Sequence, residues 1–100
     1  MKTAVVDLDG VLAEERPAFE HALAEPLPGA AEGLRTLKRL GYHVVIHTAR
    51  GWGEYAITTH WLQAHSMEYD LLICGKPIAD IVIDDRAIRF RGWEALTDAI

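Results

Sequence analysis

Four short apolar runs, rich in β-branched residues, punctuate this chain: Ala4-Val5-Val6, Val44-Val45-Ile46, Leu71-Leu72-Ile73 and Ile81-Val82-Ile83. Runs of this length, bounded by polar or glycine-containing sequence, read as buried strands. They predict strands over 3–8, 42–47, 69–74 and 81–83. Between the first two, Ala30, Leu34, Leu37 and Gly41 recur at helical spacing, with Ala31 and Leu40 beside them. Between the second and third, a helix over 54–65 would place Ile57, Trp61 and Ala64 on one face. After the fourth, Trp93, Leu96 and Ile100 repeat the pattern. Strand, helix, strand, helix, strand, strand is the signature of an α/β domain with a mostly parallel sheet covered by helices. Continuous apolar strands imply burial on both faces. Right-handed crossovers would bring all four strand ends out on one edge.

Local chemistry supports these boundaries. Pro28-Gly29 opens the first helix, Arg35, Lys38 and Arg39 gather where its dipole favours cations, and Gly41 is placed to cap it. Residues 12–28 carry Pro17, Pro26 and Pro28 without a sustained period. They read as a short flap with a helical turn around Phe19 to Leu23. One hundred residues make a single domain, 1–100, with no repeat or linker. No apolar run approaches the roughly 20 residues of a membrane span. Met1-Lys2 leads straight into the first strand, which leaves no room for a signal peptide, and Cys74 is the single cysteine. These features favour the cytoplasm. The net charge of -5 weighs against a nucleic-acid duplex as partner. Of the small basic cluster Arg86, Arg89 and Arg91, the last two read as a solvated face.

The residues that follow each strand are the informative ones. The first strand delivers Asp7 and Asp9, then Gly10; the second Thr48; the third, shortly after, Lys76; the fourth Asp84 and Asp85. Singly, each has a bland reading: a cap, an exposed lysine, a turn. Together on one edge they match phosphoryl transfer through an aspartyl phosphate. One carboxylate attacks phosphorus, and a second protonates the leaving oxygen and then activates water. Residues two apart in a strand point the same way, so the chain must bend between those tasks, and Gly10 permits the bend. A hydroxyl and a lysine would hold the phosphoryl oxygens. Like charges about 4 Å apart repel by about 4 kcal/mol at an effective dielectric near 20. Asp7, Asp84 and Asp85 in one cluster therefore call for a cation, and Mg²⁺ suits their hard oxygens.

The chain resembles the haloacid dehalogenase (HAD) superfamily of Mg²⁺-dependent phosphohydrolases. The resemblance rests on four motifs in order: Val5-Val6-Asp7-Leu8-Asp9-Gly10-Val11, Val44-Val45-Ile46-His47-Thr48, Gly75-Lys76-Pro77 and Ile81-Val82-Ile83-Asp84-Asp85. It implies a three-layer Rossmann-like fold. It also implies Asp7 as nucleophile and metal ligand, and Asp9 as general acid/base with its main-chain carbonyl on Mg²⁺. Thr48 and Lys76 would hold the phosphoryl group, with Gly10 and Ala49 lining it. Asp84 would be a metal ligand, and Asp85 would act directly, through water, or by orienting Lys76. An aspartate at the place of Asp9 points to phosphatase or phosphomutase chemistry. Two departures stand out: His47 occupies a usually apolar place, either in the core or facing the site, and there is no room for a cap domain. The Ile83-Asp84-Asp85-Arg86 run is similar to that of small capless sugar-phosphate phosphatases and of the phosphatase part of polynucleotide kinase-phosphatases.

A capless site is open, so the substrate itself or a neighbouring subunit of a homo-oligomer would cover it. Glu14, Glu15, Arg16, Arg50, Trp52, Tyr55 and Arg86 are placed near its mouth. Arg50 and Arg86 could grip a second anionic group, and Trp52 could stack on a sugar or base. Equally, Trp52 and Tyr55 could pack the start of a helix, and Arg86 could pair with Asp85. The expected substrate is a small phosphorylated metabolite such as a sugar phosphate or nucleotide. The alternatives are a phosphate on a polynucleotide end or protein, or a phosphoryl-accepting receiver-like signalling domain. The last would need an acid ending a middle strand, where this chain has Thr48 or Cys74.

Overall fold

A computed structural model describes residues 1–100. Three strands form one parallel sheet in the order β1-β2-β3: β1 (Lys2–Val6), β2 (Tyr42–His47) and β3 (Leu71–Ile73). The helices are α1 (Ala30–Arg39), α2 (Tyr55–Ala64) and α3 (Trp93–Ala99). Short 3₁₀ helices cover Ala18–Leu23, inside the flap, and Trp52–Glu54, ahead of α2. No helix is long and apolar enough to cross a membrane.

Register explains the core. Ala4 pairs with Val44, Val6 with Ile46, and Ile46 with Leu72, so these residues share one face. Val6, Val44, Ile46 and Leu72 are buried there with Leu34 and Leu37 of α1 and Leu62 of α2. The opposite face carries Val5, Val45 and Leu71. There Val5 is 65% and Leu71 45% exposed. The expected burial on both faces is thus met on one face only.

The α1 face is the predicted one, with Ala30, Leu34 and Leu37 buried, and Gly41 follows it at φ 91°. The α2 face is rotated from expectation. Thr58, Trp61 and Leu62 are buried, whereas Ile57 is half exposed and Ala64 exposed. The cause lies in the polar partner that Thr58 serves, described below.

The larger correction concerns 81–83. These residues form no strand, and Ile81, Val82 and Ile83 are 74%, 69% and 91% exposed. No backbone–backbone hydrogen bond involves residues 77–91. A three-residue apolar run specifies what a strand would bury but not the edge it would pair with, and an unpaired strand has no stability of its own. The chain is tied down again at Phe90, whose ring meets that of Trp93 edge-on at 5.6 Å.

Two indoles pin the flap. Trp93 Nε1 donates to the Val11 carbonyl at 2.7 Å, and Trp61 Nε1 donates to the Ala24 carbonyl at 2.8 Å. Gly33 lets α1 meet Trp93: a Cβ there would stand 2.1 Å from Cε3 of the ring. At the opposite end of the sheet, Asp70 accepts from Val44 N–H at 2.7 Å and from Lys38 Nζ. The Lys38 hydrogen bond, then the Val44 amide, hold the Asp70 carboxyl below its ordinary value.

Two stability outcomes follow. Gly33→Ala gains about 1 kcal/mol of helix propensity but overpacks Trp93 by about 1–3 kcal/mol, so its urea midpoint should fall. Because the folded-state pKa of Asp70 is depressed, its stabilisation is complete above the ordinary aspartate range and is lost as pH falls through the folded value. Asp70→Asn should be less stable than wild type at about pH 7, and the gap should narrow as pH falls below the ordinary aspartate range in urea titrations.

Candidate active site

Because the strands are parallel, their C-terminal ends deliver side chains to one edge. Asp7 follows β1 directly, and its Oδ1 accepts the Leu8 amide at 2.8 Å, which orients the carboxylate. The Leu8 carbonyl then accepts from Val11, Leu12 and Ala13 N–H, closing a tight turn. Gly10, at φ 88°, makes that turn in a backbone region that L side chains rarely adopt. Asp9 therefore leaves the strand direction.

The β2 and β3 ends are laced together. Thr48 N–H donates to the Ile73 carbonyl, Lys76 N–H to the Thr48 carbonyl and Gly75 N–H to the Arg50 carbonyl, each at 2.9 Å. This ladder carries Lys76 back toward β1, where its Nζ stands 3.8 Å from Asp7 Oδ2. Thr48 is fully buried, and its Oγ1 accepts Arg50 N–H at 3.2 Å. Ala49 is exposed beside it, and His47 ends β2 half-buried. Asp7, Asp9, Gly10, Thr48, Ala49 and Lys76 thus share one edge.

Arg50 departs from expectation. Its guanidinium is 1% exposed and does not face a second anionic group. Nη2 donates to Asp9 Oδ1 at 2.7 Å and Nε to Asp9 Oδ2 at 3.0 Å, while Nη1 donates to Thr58 Oγ1 at 3.2 Å. A buried guanidinium is costly unless its donors are satisfied. That demand brings Thr58 inward and rotates α2 from its predicted face. The signal in the sequence, a hydroxyl eight residues after Arg50, is too common to have named the partner.

Asp84, Asp85 and Arg86 do not join the edge. Asp85 pairs with Arg86 at 3.5 Å with both side chains almost fully exposed, and Asp84 Oδ1 accepts Arg86 N–H at 2.7 Å. The cause is the unpaired 81–83 segment, which leaves these residues in an exposed turn. No three acids, histidines or cysteines converge as a metal-binding group. The residues gathered at the edge do not by themselves make the expected magnesium centre. The edge instead balances two carboxylates, Asp7 and Asp9, against Lys76 and Arg50.

The mouth is framed by the flap and the start of α2. His21 Nδ1 lies 2.6 Å from Glu54 Oε1 and ties the 3₁₀ helix of the flap to the second strand-end loop. Trp52 stacks on Tyr55 with ring centroids 5.9 Å apart, yet remains 59% exposed, with its indole nitrogen close over Gly75. Arg16 is held by Glu14 at 2.7 Å and Glu20 at 2.9 Å. The hydrogen bond from Arg16 keeps the Glu14 carboxyl below its usual range. Cys74 is buried, and desolvation pushes its thiol up, so it stays protonated beside the edge. Two hollows lie away from this edge: one of about 350 Å³ between α1 and α3, and one of about 440 Å³ along α2. The side chains of Asp7 and Lys76 are 40% and 28% exposed, so the edge is open to solvent.

No protein-family model matches the chain, and no curated protein does. Solved structures do. A crystal structure of a target protein from Vibrio cholerae is 35% identical, with a TM-score of 0.78 over 89% of this chain and 84% of that one. The structure of a Pnkp1/Rnl/Hen1 complex gives 25% identity and a TM-score of 0.67; the match covers 84% of this chain but 30% of that one. The D,D-heptose 1.7-bisphosphate phosphatase from B. bronchiseptica, complexed with magnesium and phosphate, is similar in fold, with 19% identity and a TM-score of 0.56. That match covers 87% of this chain and 54% of the phosphatase. With the four motifs, the parallel sheet and the acids at its edge, these likenesses make the chain a member of the haloacid dehalogenase-like superfamily.

Proposed function

We propose that this chain is a Mg²⁺-dependent phosphomonoesterase acting through an aspartyl phosphate on a small phosphorylated metabolite. The observation that carries this reading is the placement of Lys76 Nζ 3.8 Å from Asp7 Oδ2, on the edge that also holds Asp9. Asp7 would attack phosphorus as the bond to the ester oxygen breaks. Asp9 would give that oxygen a proton, then take one from the water that cleaves the acyl phosphate. The Lys76 ammonium would hold the phosphoryl oxygens as charge moves onto them, and Thr48, fully buried in this structure, would join it only once its hydroxyl is uncovered. Mg²⁺ would supply further neutralisation of those oxygens, held by the Asp7 carboxylate and the Asp9 main-chain carbonyl. Asp84 and Asp85 would join only if residues 81–85 packed along the free edge of β1.

The net charge of -5 favours a small anion over a long polyanion. The likeness to an RNA-repair assembly supports a second reading, a phosphate at a polynucleotide end. Exposed Trp52, above Gly75 and next to Lys76, would stack on a base or a sugar in either case.

Phosphate release from p-nitrophenyl phosphate, with Mg²⁺ or with EDTA, tests the chemistry. Activity should vanish with EDTA and return with Mg²⁺, and Asp7→Asn should remove it. Lys76→Met should lower kcat by about 10²–10³-fold. Turnover indifferent to both metal and Asp7 would overturn the reading. Sugar phosphates compared with a 3′- or 5′-phosphorylated oligonucleotide should show the small substrates turned over faster.

A further inference from the structure

The Arg50–Asp9 contact deepens this reading and rests on it. We propose that Arg50 is a positioning residue for proton transfer: its guanidinium fixes the Asp9 carboxylate in one orientation toward the ester oxygen of the substrate. Arg50 itself touches neither substrate nor phosphoryl group.

Three observations carry the inference. The contact is two-pointed, with Nη2 on Oδ1 at 2.7 Å and Nε on Oδ2 at 3.0 Å, so the carboxylate cannot turn about its Cβ–Cγ bond without losing both hydrogen bonds. An aspartate offers about four lone-pair sites. The fork uses one on each oxygen and leaves one on each for a proton. The Asp9 side chain remains 25% exposed while that of Arg50 is 1% exposed, so the free sites open to the edge and the guanidinium does not.

The guanidinium is itself held from several directions. Nη1 is taken by Thr58 of α2, the Arg50 N–H donates to Thr48 Oγ1, and the Arg50 carbonyl receives Gly75 N–H. One side chain and its own peptide groups thus link the ends of all three strands to α2. No buried side-chain nitrogen or oxygen is left without a partner. A buried charge of this kind contributes little net stability compared with apolar packing. Its specific return is a fixed geometry for the group it holds, and that group is the acid/base. When the phosphorus–oxygen bond breaks, its electron pair stays on the leaving oxygen. An alkoxide must then receive a proton, whereas a nitrophenolate leaves without one. Misplacing Asp9 therefore penalises poor leaving groups selectively.

The test compares p-nitrophenyl phosphate with β-glycerol phosphate for wild type, Arg50→Lys, Arg50→Gln, Thr58→Val and Asp9→Asn, with circular dichroism as the check on folding. For the two Arg50 variants, kcat on β-glycerol phosphate should fall at least about tenfold more than on p-nitrophenyl phosphate, with both KM values within about threefold of wild type. Arg50→Lys keeps the charge and loses the fork, so it should show the same selectivity as Arg50→Gln. Thr58→Val, which frees one guanidinium nitrogen, should move in the same direction by less. It decides the matter should the Arg50 variants fail to fold. In an Asp9→Asn background, Arg50→Lys should add no further selectivity. Equal losses on both substrates, or a raised KM with kcat retained, would overturn the inference. If Asp9→Asn discriminates between leaving groups and folded Arg50 variants do not, Arg50 alone is misassigned. If wild type releases phosphate from neither substrate, the phosphatase reading fails first.

Discussion

Parallel pairing over one apolar face is the constraint on which the remainder of the structure depends. The register that stacks Ala4 on Val44 and Val6 on Ile46 also sends both strands out toward the same edge. Parallel pairing to β3 adds Lys76 through the Thr48–Lys76 and Arg50–Gly75 hydrogen bonds, which prolong the ladder past the last strand residue. A one-residue slip would turn Val44 and Ile46 away from the core and carry Thr48 with them. Burial of this face and placement of the polar groups at its end are consequences of the same register.

The same logic explains which parts of the molecule were legible in the sequence. Tyr42–His47 was legible to the residue because its apolar pattern coincides with a central strand paired on both sides. The 3₁₀ turn Ala18–Leu23 and α1 were legible because proline and glycine mark their ends. The α2 face was not. Ile57 is the more apolar residue, yet Thr58 is the buried one because an arginine beneath it needs an acceptor. Hydrophobic periodicity counts apolar side chains and cannot anticipate a polar demand from another element. The Asp9–Arg50 pairing, across 41 positions, was hidden for that reason. Both residues could be picked out as chemistry, but not as partners.

The segment 81–83 shows the opposite failure. Its sequence satisfies every local rule for a buried strand, and burying a Val or Ile side chain is worth about 1.5–3 kcal/mol. That gain requires a vacant place on the sheet and backbone partners to go with it. β1 has one unpaired edge, and the second face of the sheet leaves Val5 exposed, so apolar surface exists on both sides of an unmade contact. The local pattern establishes that such a contact would be favourable, and only tertiary pairing can make it.

Electrostatics sets the condition under which that contact could form. With Asp84 and Asp85 outside, two carboxylates at the edge meet two cations, Lys76 at 3.8 Å from Asp7 and Arg50 at 2.7 Å from Asp9. This arrangement balances its own charge. Bringing in Asp84 and Asp85 would set four carboxylates against the same two cations. Each new like-charge pair about 4 Å apart would cost about 4 kcal/mol at an effective dielectric near 20, comparable to the gain from burying one or two of the apolar residues that precede them. Only where the acids converge does their charge call for a divalent cation. Were 81–83 to pair with β1 and bring the acids in, added positive charge would offset that repulsion, so convergence and cation binding would be linked.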